Sequence, residues 1–389
     1  MKICYISREY PPETDWGGIA TYVHEIAQGM VAHGFEVTVI SQAVQKESTQ
    51  RVDGITVHRV LPDNLFERLP LMWRFKQHFP AFSYAAARKF KEIYKTEQFD
   101  LVESAECDAD SLFVHFQTKK PPVLVRFHLS KKFIDHINGQ PNKHKSTHWA
   151  ERQVLKRADY FSSPSRALVD RQFELFSMDS RPVTVIPNPI DTDLFAPDPS
   201  LKEDDHLLYV GRLQYLKGVD LIAEALPILC EQRPKLRCTF LGGDTDYKEG
   251  VTWKRHILNI VPDQFHNRLH FDMVSRRSLI QWYNRASLAI FPSRWENFPY
   301  VLLESMSTGT PAAITAVGGM PEIVTPGKDG LIIPDHTPEA VISTVLEGFT
   351  NPEQLRKMGQ HARDKIVQHY GIDSVAQSMA QYYRGLSAQ

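Results

Sequence analysis

The stretch SRWENFPYVLLESMSTGTPAA, residues 293–313, carries a glutamate toward each end of an almost wholly apolar run, Glu296 and Glu304. A helix buried on every side would carry neither. Pro299 suits the first turn of a helix, where a missing N–H leaves nothing unpaired, and Asn297 is a candidate N-cap. Glu296 is then expected in the loop ahead of the helix and Glu304 on its second turn. The two carboxylates need not share a helical face, and both can face one ligand. Each carboxylate oxygen accepts hydrogen bonds, which suits vicinal sugar hydroxyls. The bland alternative is a capping acid followed by an ordinary helix-surface acid.

The segments flanking this stretch read as strands: LAIFPS at 288–293 and AAIT at 312–315. The same rhythm runs through the chain. KICYIS, EVTVIS, LVES, PVLVRF and YFSSPS in the first half, and HLLYVG and LRCTFLGG in the second, are short apolar runs rich in β-branched residues. Between them lie helical patterns such as GIATYVHEIAQGMVAHG, ending at Gly34, and KGVDLIAEALPILCEQ. Strand–helix alternation predicts an α/β fold with doubly wound parallel sheets covered on both faces.

A chain of 389 residues is long for one core, so two domains are expected. The break falls in VIPNPIDTDLFAPDPSLKEDD, residues 185–205, where prolines and acids stop regular structure. The predicted domains are 1–185 and 186–370, each a Rossmann-like unit. Facing sheets of this kind bind ligands at the carboxyl ends of their strands.

The composition is that of a water-soluble globular protein, 42% hydrophobic and 23% charged, with a net charge of −1. That balance gives no global field for nucleic acid. From residue 119 to 157 about ten Lys and Arg stand against two acids, either a solvated surface or a site for anionic or lipid-linked partners. The stretch 65–95 mixes basic and aromatic residues. It reads as an amphipathic helix packing on the sheet, with a peripheral membrane-facing surface as the alternative. The four cysteines make no CxxC or zinc spacing, and the N-terminus is too short in apolar residues for a signal peptide. No apolar run approaches the length of a membrane span. A cytoplasmic protein is expected, with the inner face of a membrane as the alternative.

Several other segments could carry chemistry. Gly17 and Gly18 precede a helix, where bare amides and the helix dipole suit phosphate, although a glycine pair is more often a turn. In YVGRLQYLKGVD, Arg212 and Lys217 follow a strand and could clamp a pyrophosphate, or be two exposed cations. His128 lies just past the strand PVLVRF, at the ligand-binding edge, although lone histidines are usually structural. VGGMPEIV supplies another glycine pair before a short helix. Three acid-x-acid triplets, Asp108/Asp110, Asp191/Asp193 and Asp244/Asp246, lack further ligands and read as structural, so no metal is expected. Neither GxGxxG nor GxSxG occurs.

In this order the pieces resemble retaining glycosyltransferases of family 4, which have the two-domain GT-B fold. The family's Glu-x7-Glu signature is met by Glu296 and Glu304, within FPSRWENFPYVLLESMSTGTPAAITAVGGMPEIV. The resemblance implies a nucleotide-diphosphate sugar as donor and a hydroxyl acceptor, with no cofactor and no metal. Arg212 and Lys217 would bind the diphosphate, Glu304 the ribose, and Glu296 the sugar, helped by backbone amides of the donor-binding turn Asn297, Phe298, Pro299 and Tyr300. Gly17 and Gly18 would let the N-terminal loop close over the diphosphate, and His128 would lie near the transferred sugar. The last helix, within 371–389, would return to the N-terminal, acceptor-binding domain. One departure stands out: the family usually has glycine where this chain has Pro299, which removes one amide donor. A retaining phosphorylase, a sucrose-type synthase or a non-catalytic nucleotide-sugar binder are the rival readings.

Overall fold

The structure, a computed structural model, describes residues 1–14, 16–63, 79–178, 181–248 and 250–387. The chain forms two compact units, Met1–Pro189 with Ile372–Gln389, and Ile190–Gly371. The division falls inside the proline- and acid-rich segment.

The first unit runs β1 (Lys2–Ile6), α1 (Gly18–Ala32), β2 (Glu36–Gln42), β3 (Ser48–Val52), β4 (Ile55–Val60), α2 (Phe79–Ile93), β5 (Leu101–Ala105), β6 (Val123–Arg126), α3 (Lys131–Ile137), α4 (Lys145–Arg157), β7 (Tyr160–Ser163), α5 (Arg166–Phe176) and β8 (Thr184–Val185). Its sheet has the order β3-β4-β2-β1-β5-β6-β7-β8. The chain builds outward from β1 to one side and then returns to β5 on the other. All of β5 and β6 is buried, as expected of parallel strands covered on both faces.

The sheet is parallel as expected except at one edge, where a hairpin adds a strand. β3 pairs antiparallel with β4 through the two-residue turn Asp53-Gly54, whose φ angles are 50° and 82°. Both turn residues are left-handed, the conformation that joins two-residue hairpins. Of the stretch 65–95, residues 64–78 lie outside the described residues. The described part forms α2, which buries Phe82, Ala86 and Phe90 in the core. That is the amphipathic packing read from the sequence.

The second unit runs β9 (His206–Val210), α6 (Val219–Gln232), β10 (Arg237–Leu241), β11 (Asp246–Lys248), β12 (Val251–Thr252), α7 (Trp253–Ile260), β13 (Leu269–Asp272), α8 (Arg276–Arg285), β14 (Leu288–Phe291), α9 (Tyr300–Ser307), β15 (Ala312–Thr315), α10 (Met320–Ile323), β16 (Gly330–Ile333), α11 (Pro338–Thr350) and α12 (Pro352–His369). Its six-stranded sheet, β13-β10-β9-β14-β15-β16, is parallel throughout. β11 and β12 form a small separate antiparallel pair. Strand order reverses between β9 and β14, so the loops leaving those two strands diverge at the carboxyl edge. A crevice at such a switch point is where open α/β sheets bind ligands.

The final helix, α13 (Ile372–Ser387), belongs to the first unit and packs on α1. It is tied there by a buried polar network. Tyr383 donates to Glu103 Oε2 at 2.5 Å and Tyr22 to Glu103 Oε1 at 2.7 Å.

Candidate functional site

At the switch point of the second unit, β9 leads through Arg212 into a single 3-10 turn, Tyr215–Lys217. β14 leads through residues 292–299 into α9. The two loops meet where Lys217 Nζ lies 2.5 Å from Glu296 Oε1. Ser293 Oγ donates to the same oxygen at 2.9 Å. A third loop supports the glutamate from behind. Gly319 N–H donates to the Glu296 carbonyl at 2.9 Å, and Gly318, with φ 53°, approaches so closely that a Cβ would sit 1.7 Å from that oxygen. Only glycine fits there. This explains the pair in VGGMPEIV.

Arg212 contrasts with Lys217. The Tyr209 hydroxyl fixes its backbone carbonyl at 2.8 Å, but its guanidinium has no ion-pair or hydrogen-bond partner among the described residues. Lys217 is thus already neutralised, whereas Arg212 is exposed and carries no ion pair among the described residues.

Glu304 lies on the second turn of α9 and is buried. Tyr283 donates to one of its oxygens at 3.0 Å and Arg276 Nε to the other at 3.2 Å. Burial raises the carboxyl pKa, while Arg276 and the two hydrogen bonds hold it back. Each oxygen retains a second lone pair for a ligand hydroxyl. The two glutamates therefore differ in kind. One is half-buried against a cation on a loop, the other enclosed on a helix.

Asn297 requires a correction. It does not cap α9: its Oδ1 accepts the indole N–H of Trp295 at 2.8 Å, and Pro299 occupies the cap position with no side-chain hydrogen bond. A cap at Asn297 would need the helix to begin at Phe298, and it begins at Tyr300. Phe298 turns inward against Tyr370, and Tyr300 opens the helix.

In the first unit, Gly17 caps α1 and Gly18 is its first residue. Gly17 makes no side-chain cap hydrogen bond; a Cβ on it would lie 2.6 Å from a carboxylate oxygen of Glu9, whereas a Cβ on Gly18 would meet open space. His128, two residues past β6, is buried with its ring 5.3 Å from that of Tyr22 on α1. Burial, with nearby Arg126, pulls its pKa well down, so the imidazole is neutral at neutral pH. Its backbone N–H donates to both oxygens of Glu106, at 2.8 and 3.0 Å. Gln172 donates to Glu106 as well, at 2.6 Å.

The acid triplets have local partners. Asp110 receives the backbone and guanidinium of Arg8, Asp191 closes a turn by accepting from Asp193 and Leu194, and Asp244 accepts from Lys254 N. Among the described residues no group of three or more His, Cys, Asp and Glu is placed to hold a metal ion.

Sequence reasoning missed Arg276 and Tyr283 under Glu304, Glu106 behind His128, and Arg126. The last is wholly buried in RFH and donates to Ile186 O and Asn188 Oδ1, both at 2.9 Å. A buried arginine in an apolar strand was the available signal, since such a charge demands partners.

With this geometry in place, comparison with known proteins defines the class. Residues 16–194 match the family model described as Glycosyltransferase Family 4, and residues 191–365 the one described as Glycosyl transferases group 1. The chain belongs to this family of glycosyltransferases, enzymes acting on nucleotide sugars, and has the GT-B fold. Among its relatives, the glycogen synthase of Mycobacterium tuberculosis is 25% identical over 98% of this chain and 94% of its own. The D-inositol 3-phosphate glycosyltransferase of Streptomyces coelicolor is 24% identical over 96% and 88%. Of solved structures, the sucrose-phosphate synthase of Thermosynechococcus elongatus aligns with a TM-score of 0.81 at 22% identity, covering 100% of this chain and 99% of its own. HepE of Anabaena, solved with UDP-glucose, aligns at 0.74 with 16% identity, covering 99% and 100%.

Proposed function

We propose that this glycosyltransferase transfers its sugar with retention of anomeric configuration and uses protein cations, not a metal, to stabilise the leaving diphosphate. The observation that carries this reading is the pairing of an uncompensated Arg212 with a Lys217–Glu296 contact at one switch point. A departing nucleoside diphosphate accumulates negative charge, and fixed cations in a preorganised crevice stabilise it. Arg212 offers a planar fork to two phosphate oxygens and Lys217 a compact point charge.

Glu296, freed from Lys217 by the incoming phosphate, accepts from donor-sugar hydroxyls. Glu304, held by Arg276 and Tyr283, accepts from the nucleotide ribose. In the other unit, the backbone amides opening α1 at Gly17 and Gly18 suit phosphate oxygens that displace the neighbouring Glu9 carboxylate, and the neutral imidazole of His128 suits the transferred sugar. Neither glutamate is assigned as a covalent nucleophile. The acceptor hydroxyl attacks from the leaving-group side as the sugar–oxygen bond breaks through an oxocarbenium-like state. The diphosphate takes the acceptor proton.

The acceptor is a hydroxyl compound, bound by the N-terminal unit; glycan, lipid-linked and small-molecule acceptors all meet that description. No helix among the described residues is long and apolar enough to cross a membrane. We place the enzyme in the cytoplasm, with peripheral contact through the N-terminal unit if its acceptor is lipid-linked. Vesicle co-sedimentation tests that contact, and absence of binding removes it.

A panel of nucleotide sugars, assayed for nucleoside diphosphate release with and without EDTA, tests the whole reading. Release from one donor, unchanged by EDTA, with the product anomer matching the donor by NMR, is expected. Inversion or loss of activity in EDTA would overturn retention or metal independence respectively.

A further inference from the structure

We infer that Arg294 and Asp220, which touch no substrate in this reading, are positioning residues that set Lys217. The inference rests on the assignment of Lys217 as a diphosphate ligand. Lys217 ends a single 3-10 turn whose N-cap makes no side-chain hydrogen bond. Left to itself, such a turn would let a four-carbon side chain sweep a wide volume, and ordering it would cost entropy at every binding event.

The guanidinium of Arg294 removes that freedom from both sides of the lysine. Its Nη1 and Nη2 donate to the two oxygens of Asp220 at 2.8 and 2.7 Å, a bidentate pair. Nη1 also donates to the Tyr215 carbonyl at 2.6 Å, and the guanidinium carbon sits 3.6 Å from the centre of the Tyr215 ring. The Arg294 backbone N–H donates to the Leu216 carbonyl at 2.8 Å. Asp220 lies in the first turn of α6, where the helix dipole favours a carboxylate.

Residues 215 and 216 before the lysine, and 220 after it, are therefore gripped by one side chain and one amide. Gly218 completes the strap: its φ is 70°, and a Cβ there would lie 1.9 Å from the Pro292 carbonyl, so the two loops are in backbone contact. Arg294 stands two residues before Glu296. The same residue thus keeps the loop of Lys217 and the loop of Glu296 in register, although its side chain contacts neither functional group. Tyr215 is 61% exposed, so its attachment comes from Arg294 and not from burial.

A residue acting through Lys217 has no further effect once Lys217 is gone, and that separates positioning from general support. Affinities for UDP, ADP, GDP and dTDP, measured by calorimetry on the full chain, supply the readout. Lys217→Ala is expected to weaken the best of these roughly tenfold or more, since it removes a charged contact to phosphate. Arg294→Ala and Asp220→Asn are expected to weaken it several-fold, and each combined with Lys217→Ala to match Lys217→Ala alone. Arg294→Lys keeps the charge but loses the fork and the stacked plane, and falls between wild type and Arg294→Ala. If Arg294→Ala does not fold, the cycle built on Arg294→Lys and Asp220→Asn decides the matter. Unchanged affinity in the 294 and 220 variants, or losses that multiply with Lys217→Ala, would overturn the inference alone. Unchanged affinity in Lys217→Ala would instead overturn the role given to Lys217. Failure of the wild type to bind any of the four would overturn the donor reading itself.

Discussion

Lys217 Nζ and Glu296 Oε1 stand 2.5 Å apart, on loops that leave neighbouring strands of one parallel sheet. In the free protein the lysine proposed for phosphate is occupied by the glutamate proposed for sugar. Each keeps the other's charge from being stranded in a half-buried crevice, where an unpaired charge is costly. A donor carrying both a diphosphate and hydroxyls can replace both halves of the pair at once.

Glu296→Gln should therefore split binding from turnover. The amide no longer competes for Lys217 and no longer adds negative charge beside the diphosphate. Nucleoside diphosphate affinity is expected to hold or rise several-fold, while sugar transfer falls about 100-fold through loss of the charge and of one of two preorganised acceptor oxygens. Calorimetry with the diphosphate and initial rates with the donor check the two halves. Parallel losses in both would refute the exchange.

Glu304→Ala should behave as a stability variant as well as a binding one. It leaves the half-buried Arg276 side chain without its carboxylate and the buried Tyr283 hydroxyl without its acceptor. Stranding such groups costs on the order of 3 kcal/mol, and Glu304→Gln, which keeps an acceptor for one of them, costs less. Urea unfolding gives both values, and equal midpoints for alanine and wild type would contradict the enclosed environment.

How much of this was readable beforehand depended on sequence distance. β14 and all of β9 after His206 are unbroken apolar runs, so the second sheet and its carboxyl edge could be placed from their residues alone. Glu296 and Glu304 are separated by a single loop-to-helix transition, and a proline marked it. Arg294 and Asp220 lie 74 positions apart, Arg276 and Glu304 28 apart, and Glu103 and Tyr383 280 apart. Side chains that meet only after the sheet closes leave no local period to detect. Asn297 failed for the opposite reason. Asn297 and Pro299 are two local start signals side by side, and composition does not say which one the helix follows; it begins after the proline. The Asp53-Gly54 hairpin carried a local signal and was obscured by the parallel rhythm around it.

The return of α13 to the first unit can be tested through one oxygen atom. Glu103 is wholly buried in β5, its pKa raised by burial and held back by Arg126 and two tyrosine hydroxyls. Tyr383→Phe keeps the ring in its packed site and deletes the donor to Glu103 Oε2 together with the 3.1 Å hydrogen bond to the Tyr5 hydroxyl. An expected loss of about 1–3 kcal/mol, the cost of an unmet buried acceptor, should appear in thermal unfolding. Glu103→Gln, alone and in the same background, completes a cycle in which the two losses should not add, because both remove the same hydrogen bond. A Tyr383→Phe variant as stable as wild type would show that packing on α1 alone retains the helix.

Glu106 makes a prediction about pH whose sign follows from its burial. Burial raises its carboxyl from the ordinary 4.5 to about 7, opposed chiefly by the backbone N–H of His128. Between those values the folded protein holds a proton that the unfolded chain has lost. Stability therefore falls as pH rises through that window: the contribution of Glu106 is intact below about 4.5 and lost by pH 7. Asp110, raised to about 6, acts in the same direction. His206 and His115, both lowered to about 4 by burial, act oppositely below their ordinary 6.5, since the unfolded chain takes up their protons first. The raw stability profile mixes these groups, but the difference between wild type and Glu106→Gln isolates one of them. That difference should shift by on the order of 3 kcal/mol between pH 4.5 and 7, in favour of the glutamine as pH rises. Because Glu106 grips the backbone of His128, transfer rates should follow the same window. Stability curves that run parallel from pH 4.5 to 7 would mean that the carboxylate keeps its charge in the folded state and that His128 is held by an anion throughout.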